Sequence, residues 1–132
     1  MEVIIHPVLN LYVIVTFVVA AMVAFSAIAK IRHDPRVVRT IHEIVGFPLR
    51  YFPLLAALEL AGALGLVLGM FWPLLGIVAG VGLGLYFLAA ILSHFRVGDF
   101  TGFGPAFFMW VAVMVALGMR LHLGPHPHWY RL

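Results

Sequence analysis

Residues 51–69 are Tyr-Phe-Pro-Leu-Leu-Ala-Ala-Leu-Glu-Leu-Ala-Gly-Ala-Leu-Gly-Leu-Val-Leu-Gly, an apolar run interrupted by one carboxylate, Glu59. A run of this length predicts a helix that crosses a lipid bilayer. A carboxylate near the middle of such a helix costs about 3 kcal/mol or more, so it is rarely found there without a partner or a task. We therefore expect Glu59 to point into a helix bundle and to contact a basic or polar group.

The composition of the whole chain indicates an integral membrane protein. Hydrophobic residues make up 64% of the chain and charged residues 10%, whereas soluble proteins have about 45–50% and about 25%. Cysteine is absent, which excludes disulfides, thiolate metal sites and cysteine nucleophiles. The net charge of +3 comes without a basic stripe interleaved with aromatic residues, so we expect no nucleic-acid partner.

Four apolar segments predict a single membrane domain over residues 1–132. The spans lie at about residues 8–29, 51–70, 73–93 and 105–121, near the ~20 residues that cross a bilayer. The first segment lacks a basic leader and a small-residue cleavage site, so we expect a retained span and not a signal peptide. Phe71 and Trp72 alone join the second and third spans, which predicts a tight antiparallel hairpin. The predicted fold class is all-α, a bundle of four transmembrane helices.

The connection between the first two spans has a helical pattern of its own. Asp34 followed by Pro35 is typical of a helix start, and Gly46 is typical of a helix end. Between them, apolar residues recur at helical spacing: Val37, Val38, Ile41, Ile44 and Val45. The pattern predicts a short amphipathic helix at about residues 35–45 that lies in the membrane interface. An ordinary polar loop is the alternative.

The positions of lysine and arginine predict the orientation in the membrane. Six basic residues flank the two connections on one side, namely Lys30, Arg32, Arg36, Arg39, Arg50 and Arg96, and two lie on the other, Arg120 and Arg131. By the positive-inside rule, the first side is cytoplasmic and both termini lie outside, in what we expect to be a bacterial inner membrane. The predicted outer aromatic belt consists of Tyr12, Trp72, Trp129 and Tyr130.

Glycines four residues apart predict close contact between helices. The third span contains Gly76, Gly80 and Gly84, and the second contains Gly65 and Gly69. Such spacing makes a smooth groove in which two helix backbones approach each other. Because the two helices are neighbours along the chain, we expect packing within one chain. A homodimer seam is the alternative.

Ionisable residues of three helices are expected to meet in the cytoplasmic leaflet. Glu59 lies ~12 Å inside the second helix, at 1.5 Å per residue. Lys30 closes the first helix, and its flexible stem allows contact with Glu59. His94 closes the third helix. We predict that Glu59, Lys30 and His94 form a catalytic set that performs acid/base chemistry or relays protons.

The neighbouring polar residues are the predicted lining of a ligand pocket. Ser26 lies one turn before Lys30 on the same helix face, and Arg96 and Asp99 follow the third helix. Purely structural roles are the alternative for this whole set. Lysine, arginine and aspartate serve as interfacial anchors, histidine caps a helix C-terminus, and a buried ion pair can fix helix register without adding stability.

The only weak candidates for metal ligands are histidines near the C-terminus of the sequence. His122, His126 and His128 have the side chains that bind a soft divalent metal, but Pro125 and Pro127 predict an extended tail with adventitious affinity only. We therefore predict no dedicated metal site. The sequence contains no haem signature and no His-Glu-x-x-His zinc motif, so no motif encodes a cofactor.

Several motifs are spread over nearly the whole chain, namely Phe25-Ser-Ala-Ile-Ala-Lys30, Asp34-Pro35, Leu58-Glu-Leu-Ala-Gly62, Pro73, His94-Phe-Arg-Val-Gly-Asp99 and Pro105. In these motifs the chain resembles the DoxX-like family of small four-helix membrane proteins. Ala27 departs from the pattern, since many relatives have glycine after the serine. The resemblance implies a four-helix bundle, and the family takes its name from a subunit of a thiosulfate:quinone oxidoreductase.

Three functions are compatible with these features. The first is an accessory subunit of a membrane redox or quinone-linked system, with a quinone as the candidate cofactor and a membrane or peripheral redox protein as the partner. The second is a stand-alone membrane enzyme, of isomerase type, that uses Glu59 as general acid/base on a hydrophobic small molecule. The third is a structural or assembly protein whose polar network only fixes the packing of the helices.

Overall fold

The structure, a computed structural model, describes the backbone of residues 2–124 and the side chains of residues 7–124. Four long helices account for most of this part of the chain. They are α1 (Glu2–Ile31), α3 (Phe52–Leu68), α4 (Pro73–Arg96) and α5 (Phe100–His122), and a shorter helical segment, α2 (Pro35–Val37), follows α1. Within the described residues, these four are long and apolar enough to cross a membrane.

The four long helices form a closed ring of neighbours. Helix α1 packs against α3, α3 against α4, α4 against α5, and α5 back against α1. Each helix contributes side chains to one buried apolar core, which consists of Val19, Ala20, Val23, Ala63, Leu66, Leu83, Phe87, Val113 and Ala116. The outward faces remain strongly apolar, as for Phe25 and Leu74, which are about three-quarters exposed. This arrangement confirms the predicted all-α bundle of four spanning helices.

The α3–α4 hairpin depends on glycine, as the spacing predicts. The backbones of Gly69 and Gly76 touch, so that a side chain on Gly69 would overlap the Gly76 backbone. Gly65 faces Ala79 of α4, while Gly80 and Gly84 face side chains of α5. The glycine stripe of α4 is therefore occupied by contacts within one chain.

The connection from α1 to α3 is helical, but its backbone differs from the predicted helix. Asp34 accepts a hydrogen bond from the Arg36 N–H and caps the three-residue helix α2. The chain then continues as a π-helix, Val38–Ile44, and a 3₁₀ turn, Leu49–Tyr51, leads into α3. A π-helix has more residues per turn than an α-helix, so the predicted apolar residues do not form one α-helical face. Location of this segment in the membrane interface stays a prediction.

Helix α5 begins before the proline that marked its predicted start. Asp99 caps the helix by accepting a hydrogen bond from the Gly102 N–H, and α5 starts at Phe100 with Pro105 inside it. Pro105 is the sixth residue of α5, beyond the first turn in which N–H groups lack a helical partner, so it removes one hydrogen bond within the helix. The cap therefore sets the boundary, and it places Asp99 beside the end of α4.

Candidate functional site

Glu59 lies at the centre of the candidate site. Its side chain is fully buried on the bundle-facing side of α3. Oε1 lies 2.7 Å from Nζ of Lys30, which is 6% exposed at the end of α1. The structure thus brings together the two residues that were predicted from sequence to meet across the α1–α3 interface.

Two hydroxyl groups extend this ion pair into a network over three helices. Lys30 Nζ donates a hydrogen bond of 2.9 Å to Ser26 Oγ, one turn earlier on α1. Tyr86 of α4 donates its hydroxyl hydrogen to Glu59 Oε1 over 2.8 Å. Sequence reasoning missed Tyr86. Its polar hydroxyl inside an apolar span was the available signal, since a buried tyrosine hydroxyl usually has a hydrogen-bond partner.

The remaining carboxylate oxygen of Glu59 is chemically distinctive. Oε2 is buried and accepts no hydrogen bond from the residues that the structure describes. An unsatisfied buried acceptor costs about 1–3 kcal/mol. Since Oε1 already receives hydrogen bonds from Lys30 and Tyr86, Oε2 is the carboxylate oxygen with unused acceptor capacity. The arrangement fits a general acid/base or a proton relay inside an apolar medium.

His94 and Asp99 form a second polar pair at the same end of the bundle. His94 Nδ1 lies 3.0 Å from Asp99 Oδ2, and both side chains are buried. Asp99 Oδ1 accepts the Gly102 N–H over 3.1 Å, which ties the pair to the first turn of α5. The structure therefore places His94 with Asp99, whereas the partners of Glu59 are Lys30 and Tyr86. The predicted set of three catalytic residues is divided between two clusters.

Among the other predicted site residues, those that the structure describes have exposed side chains. Arg96 is exposed at the end of α4, and His122 is exposed at the end of α5. His126 and His128 lie outside the described residues. Among the described residues, no group of three His, Cys, Asp or Glu side chains is placed to hold a metal ion.

A third polar cluster closes the opposite end of the bundle, and sequence reasoning missed it. Arg120 of α5 is 2% exposed, and its guanidinium donates hydrogen bonds to the carbonyls of Gly69 and Gly124 at 3.2 and 2.9 Å. It also lies 5.0 Å from the ring centroid of Tyr12, a cation–π distance. Tyr12 is 2% exposed, so its predicted place in a lipid-facing aromatic belt is wrong. Arg120 and the Tyr12 ring are thus buried together in this cluster.

An apolar groove lies between α1 and α5 beside the Lys30–Glu59 pair. Its lining consists of Ala21, Met22, Phe25, Ser26, Pro105 and Met109. Ser26 belongs both to this lining and to the hydrogen-bond network of Lys30. Ser26 therefore links the groove to the buried ion pair through its hydrogen bond with Lys30.

A comparison with known protein families gives one match. A family model described as the DoxX-like family matches residues 14–118. The chain belongs to the DoxX-like family. No curated protein and no solved structure gives a significant match. In this DoxX-like chain the matched range includes the Ser26–Lys30–Glu59–Tyr86 network and the His94–Asp99 pair, whereas Tyr12 and Arg120 fall outside it.

Proposed function

We propose that this DoxX-like membrane protein is an accessory subunit of a quinone-linked redox system. In this proposal the Lys30–Glu59 pair binds the polar head of a quinone-like molecule or relays protons to it. The main support is Glu59 itself, a fully buried carboxylate that is held 2.7 Å from a lysine in a span-forming helix. Ionisable groups inside a membrane are costly and usually functional.

The donor and acceptor groups of the network are suited to supply protons to a quinone as it is reduced. Tyr86 of α4 and Lys30 of α1 both donate to Oε1 of Glu59 in α3, so the three side chains form one connected network. Proton transfer to or from Glu59 within this network requires only short movements between positioned groups. Any redox centre belongs to the quinone or to a partner protein, because the chain has no cysteine and no cofactor motif.

The proposal includes an orientation in a bacterial inner membrane with both termini outside. Exposed arginines surround the end of the bundle that holds the Lys30–Glu59 pair, namely Arg32, Arg36, Arg39, Arg50 and Arg96. Arg120, at the other end, is buried within the bundle. This asymmetry of exposed positive charge supports a cytoplasmic location for the site. It also leaves an arginine-rich surface for a peripheral redox partner.

Replacement of Glu59 by glutamine tests the proposal. Glu59→Gln keeps the shape of the side chain but removes its ionisation. We expect quinone-dependent oxidase activity in the native host to fall about a hundredfold, the usual size of a lost acid/base group. Glu43→Gln is the matched control, since Glu43 is exposed in the connection after α1, and it should leave activity unchanged.

The same experiment includes extraction of lipid-soluble molecules from the purified protein. A bound quinone-like compound in the wild type would support the proposal. Unchanged activity of Glu59→Gln together with an empty purified protein would contradict it. A variant that loses thermal stability while its activity per folded molecule is unchanged would instead support a structural or assembly role.

A stand-alone enzyme is the second candidate, and the Tyr86–Glu59–Lys30 network is the observation that favours it. A general acid, a general base and a cation within hydrogen-bond distance are the groups that an isomerase of a hydrophobic carbonyl compound needs. Turnover by the isolated protein, with a bell-shaped pH–rate profile, would favour this candidate over the subunit. Activity that appears only with a redox partner would favour the subunit.

A further inference from the structure

The groove between α1 and α5 is open to the outside of the bundle and has an apolar wall with one hydroxyl group. It has a volume of about 500 Å³, within the range of about 300–1,000 Å³ that is common for small-molecule sites. Methionine, phenylalanine, proline and alanine form most of its wall, and Ser26 supplies the hydroxyl group. Such a wall favours an apolar body with one polar end.

The groove also lies along the least extensive of the four interfaces between neighbouring helices. Helices α1 and α5 contact each other less extensively than the other three neighbouring pairs do. Phe25, in the groove wall, is 75% exposed on the outer face of a span-forming helix. A molecule dissolved in the bilayer therefore reaches Ser26 laterally, without crossing the aqueous phase.

Hydrogen-bond capacity defines the polar end of the ligand. Ser26 Oγ already accepts a hydrogen bond from Lys30, so its own hydroxyl hydrogen is left to donate. An ammonium group has three N–H donors, of which Ser26 and Glu59 use two. Both groups therefore offer donors, and an oxygen acceptor is the complementary group on a ligand.

The charge balance of the site excludes an ionised head group as the best fit. Lys30 is neutralised by Glu59 at 2.7 Å, so the pair presents little net charge to a ligand. A carboxylate or phosphate in this apolar setting would be desolvated without a free counter-charge, which is costly. A neutral carbonyl oxygen matches the two donors without that penalty.

We propose that the α1–α5 groove is the lateral entrance and binding site for a lipid-soluble carbonyl compound, and that Ser26 recognises its carbonyl oxygen together with Lys30. This inference rests on the proposed function, because it names the ligand class and the entry route for the same network. The apolar body of the compound lies against Met22, Phe25 and Met109. Glu59 bonds to Lys30 and Tyr86 bonds to Glu59, so both act on the carbonyl oxygen through Lys30 and do not donate to it themselves.

Photolabelling of the full-length protein tests this proposal. The protein is reconstituted in phosphatidylcholine nanodiscs that lack quinone, and an alkyl benzoquinone with a diazirine in its tail is added. Labelled positions are found by mass spectrometry. We expect labelling to concentrate on Met22, Phe25 and Met109 and to be displaced by excess unlabelled alkyl benzoquinone, but not by a tail of equal length without the ring.

Four variants make the assignment specific. Ser26→Ala should lower labelling at the groove about five- to tenfold, the loss expected for one hydrogen bond. Ser93→Ala is its control, because the Ser93 hydroxyl bonds to the Ala89 carbonyl on the exposed face of α4. Ala21→Phe should block the groove and abolish labelling without removing a polar group. Ala57→Phe, on the exposed face of α3, should have no effect.

The outcomes separate this proposal from the proposed function. Labelling that spreads evenly around the bundle, or that Ala21→Phe and Ala57→Phe affect equally, would show that the groove holds only bilayer lipid and would overturn the proposal. Labelling by the tail without the ring, at the same sites and with the same strength, would also overturn it. If the Glu59→Gln variant keeps groove labelling but loses oxidase activity, both proposals are supported. If the groove is labelled and the Glu59→Gln variant keeps its oxidase activity, the groove proposal is supported and the proposed function is contradicted.

Discussion

At Glu59, the chain keeps a charged group in the part of the molecule where charge is most costly. The ion pair with Lys30 and the hydrogen bond from Tyr86 stabilise the carboxylate, and both depend on neighbouring helices. A buried pair of this kind is often no more stable than apolar residues of the same volume, yet loss of one partner is strongly destabilising. The stability of the α1–α3 packing should therefore be sensitive to substitution of either partner.

Removal of the lysine alone should destabilise the bundle. We expect Lys30→Met to lower the free energy of unfolding in detergent by about 3 kcal/mol, because it leaves Glu59 buried without its cation. The double variant Lys30→Met, Glu59→Met should recover most of that loss. Arg39→Met is the control, since Arg39 is exposed. Equal losses in the single and double variants would show that the two side chains are not energetically coupled.

At the scale of the elements, the hairpin of α3 and α4 depends on the absence of side chains at one crossing point. Gly69 and Gly76 bring the two backbones into contact, and Arg120 passes beside Gly76 on its way to the Gly69 carbonyl. In a bilayer, such close contact replaces the hydrophobic effect as the force between helices. The glycine pair thus sets the distance at which the other helix contacts form.

A single methyl group at this crossing should disrupt it. We expect Gly69→Ala to lower the free energy of unfolding by about 1–3 kcal/mol, the usual cost of an oversized side chain in a packed interior. Gly82→Ala is the control, because no atom lies within 4 Å of the added methyl group. It should leave stability unchanged or raise it slightly, through the higher helix propensity of alanine. Thermal unfolding of both variants in the same detergent provides the measurement.

For the molecule as a whole, the polar groups lie at two levels with an apolar layer between them. Along α1, for instance, Val19 and Val23 lie in the buried core between Tyr12 at one level and Lys30 at the other. One level contains the Lys30–Glu59 pair, and the other contains Arg120, which bonds to Tyr12 of α1 and to the Gly69 and Gly124 carbonyls just after α3 and α5. The structure therefore combines the candidate site at one end with stabilising contacts around Arg120 at the opposite end.

Loss of the Arg120 contacts should destabilise the whole bundle. We expect Arg120→Leu to lower the free energy of unfolding by about 3 kcal/mol, because the carbonyls of Gly69 and Gly124 lose a charged donor. Arg120→Lys should recover only part of this loss, since an ammonium group lacks the planar fork of a guanidinium. Arg96→Leu, at an exposed position, is the control. If Arg120→Leu and Arg96→Leu unfold at the same temperature, the result would contradict a stabilising role for Arg120.

The sequence alone determined the number of spans, the tight hairpin and the burial of Glu59 with a basic partner. Hydropathy and helix length are local properties, and a backbone in lipid must satisfy its hydrogen bonds within each helix. A carboxylate in such a span requires a polar or charged partner, and Lys30 lies at the matching depth of the adjacent helix. These features follow from short stretches of chain and from their order.

Only the tertiary structure decided the rotation of each helix about its axis. Rotation placed Tyr86 against Glu59, paired His94 with Asp99, and turned Tyr12 inward to meet Arg120. In a soluble helix, polar and apolar faces indicate this rotation, but here both faces are apolar because lipid covers the outside. Side-chain packing between helices therefore selected these contacts, and hydropathy periodicity contained no signal for them.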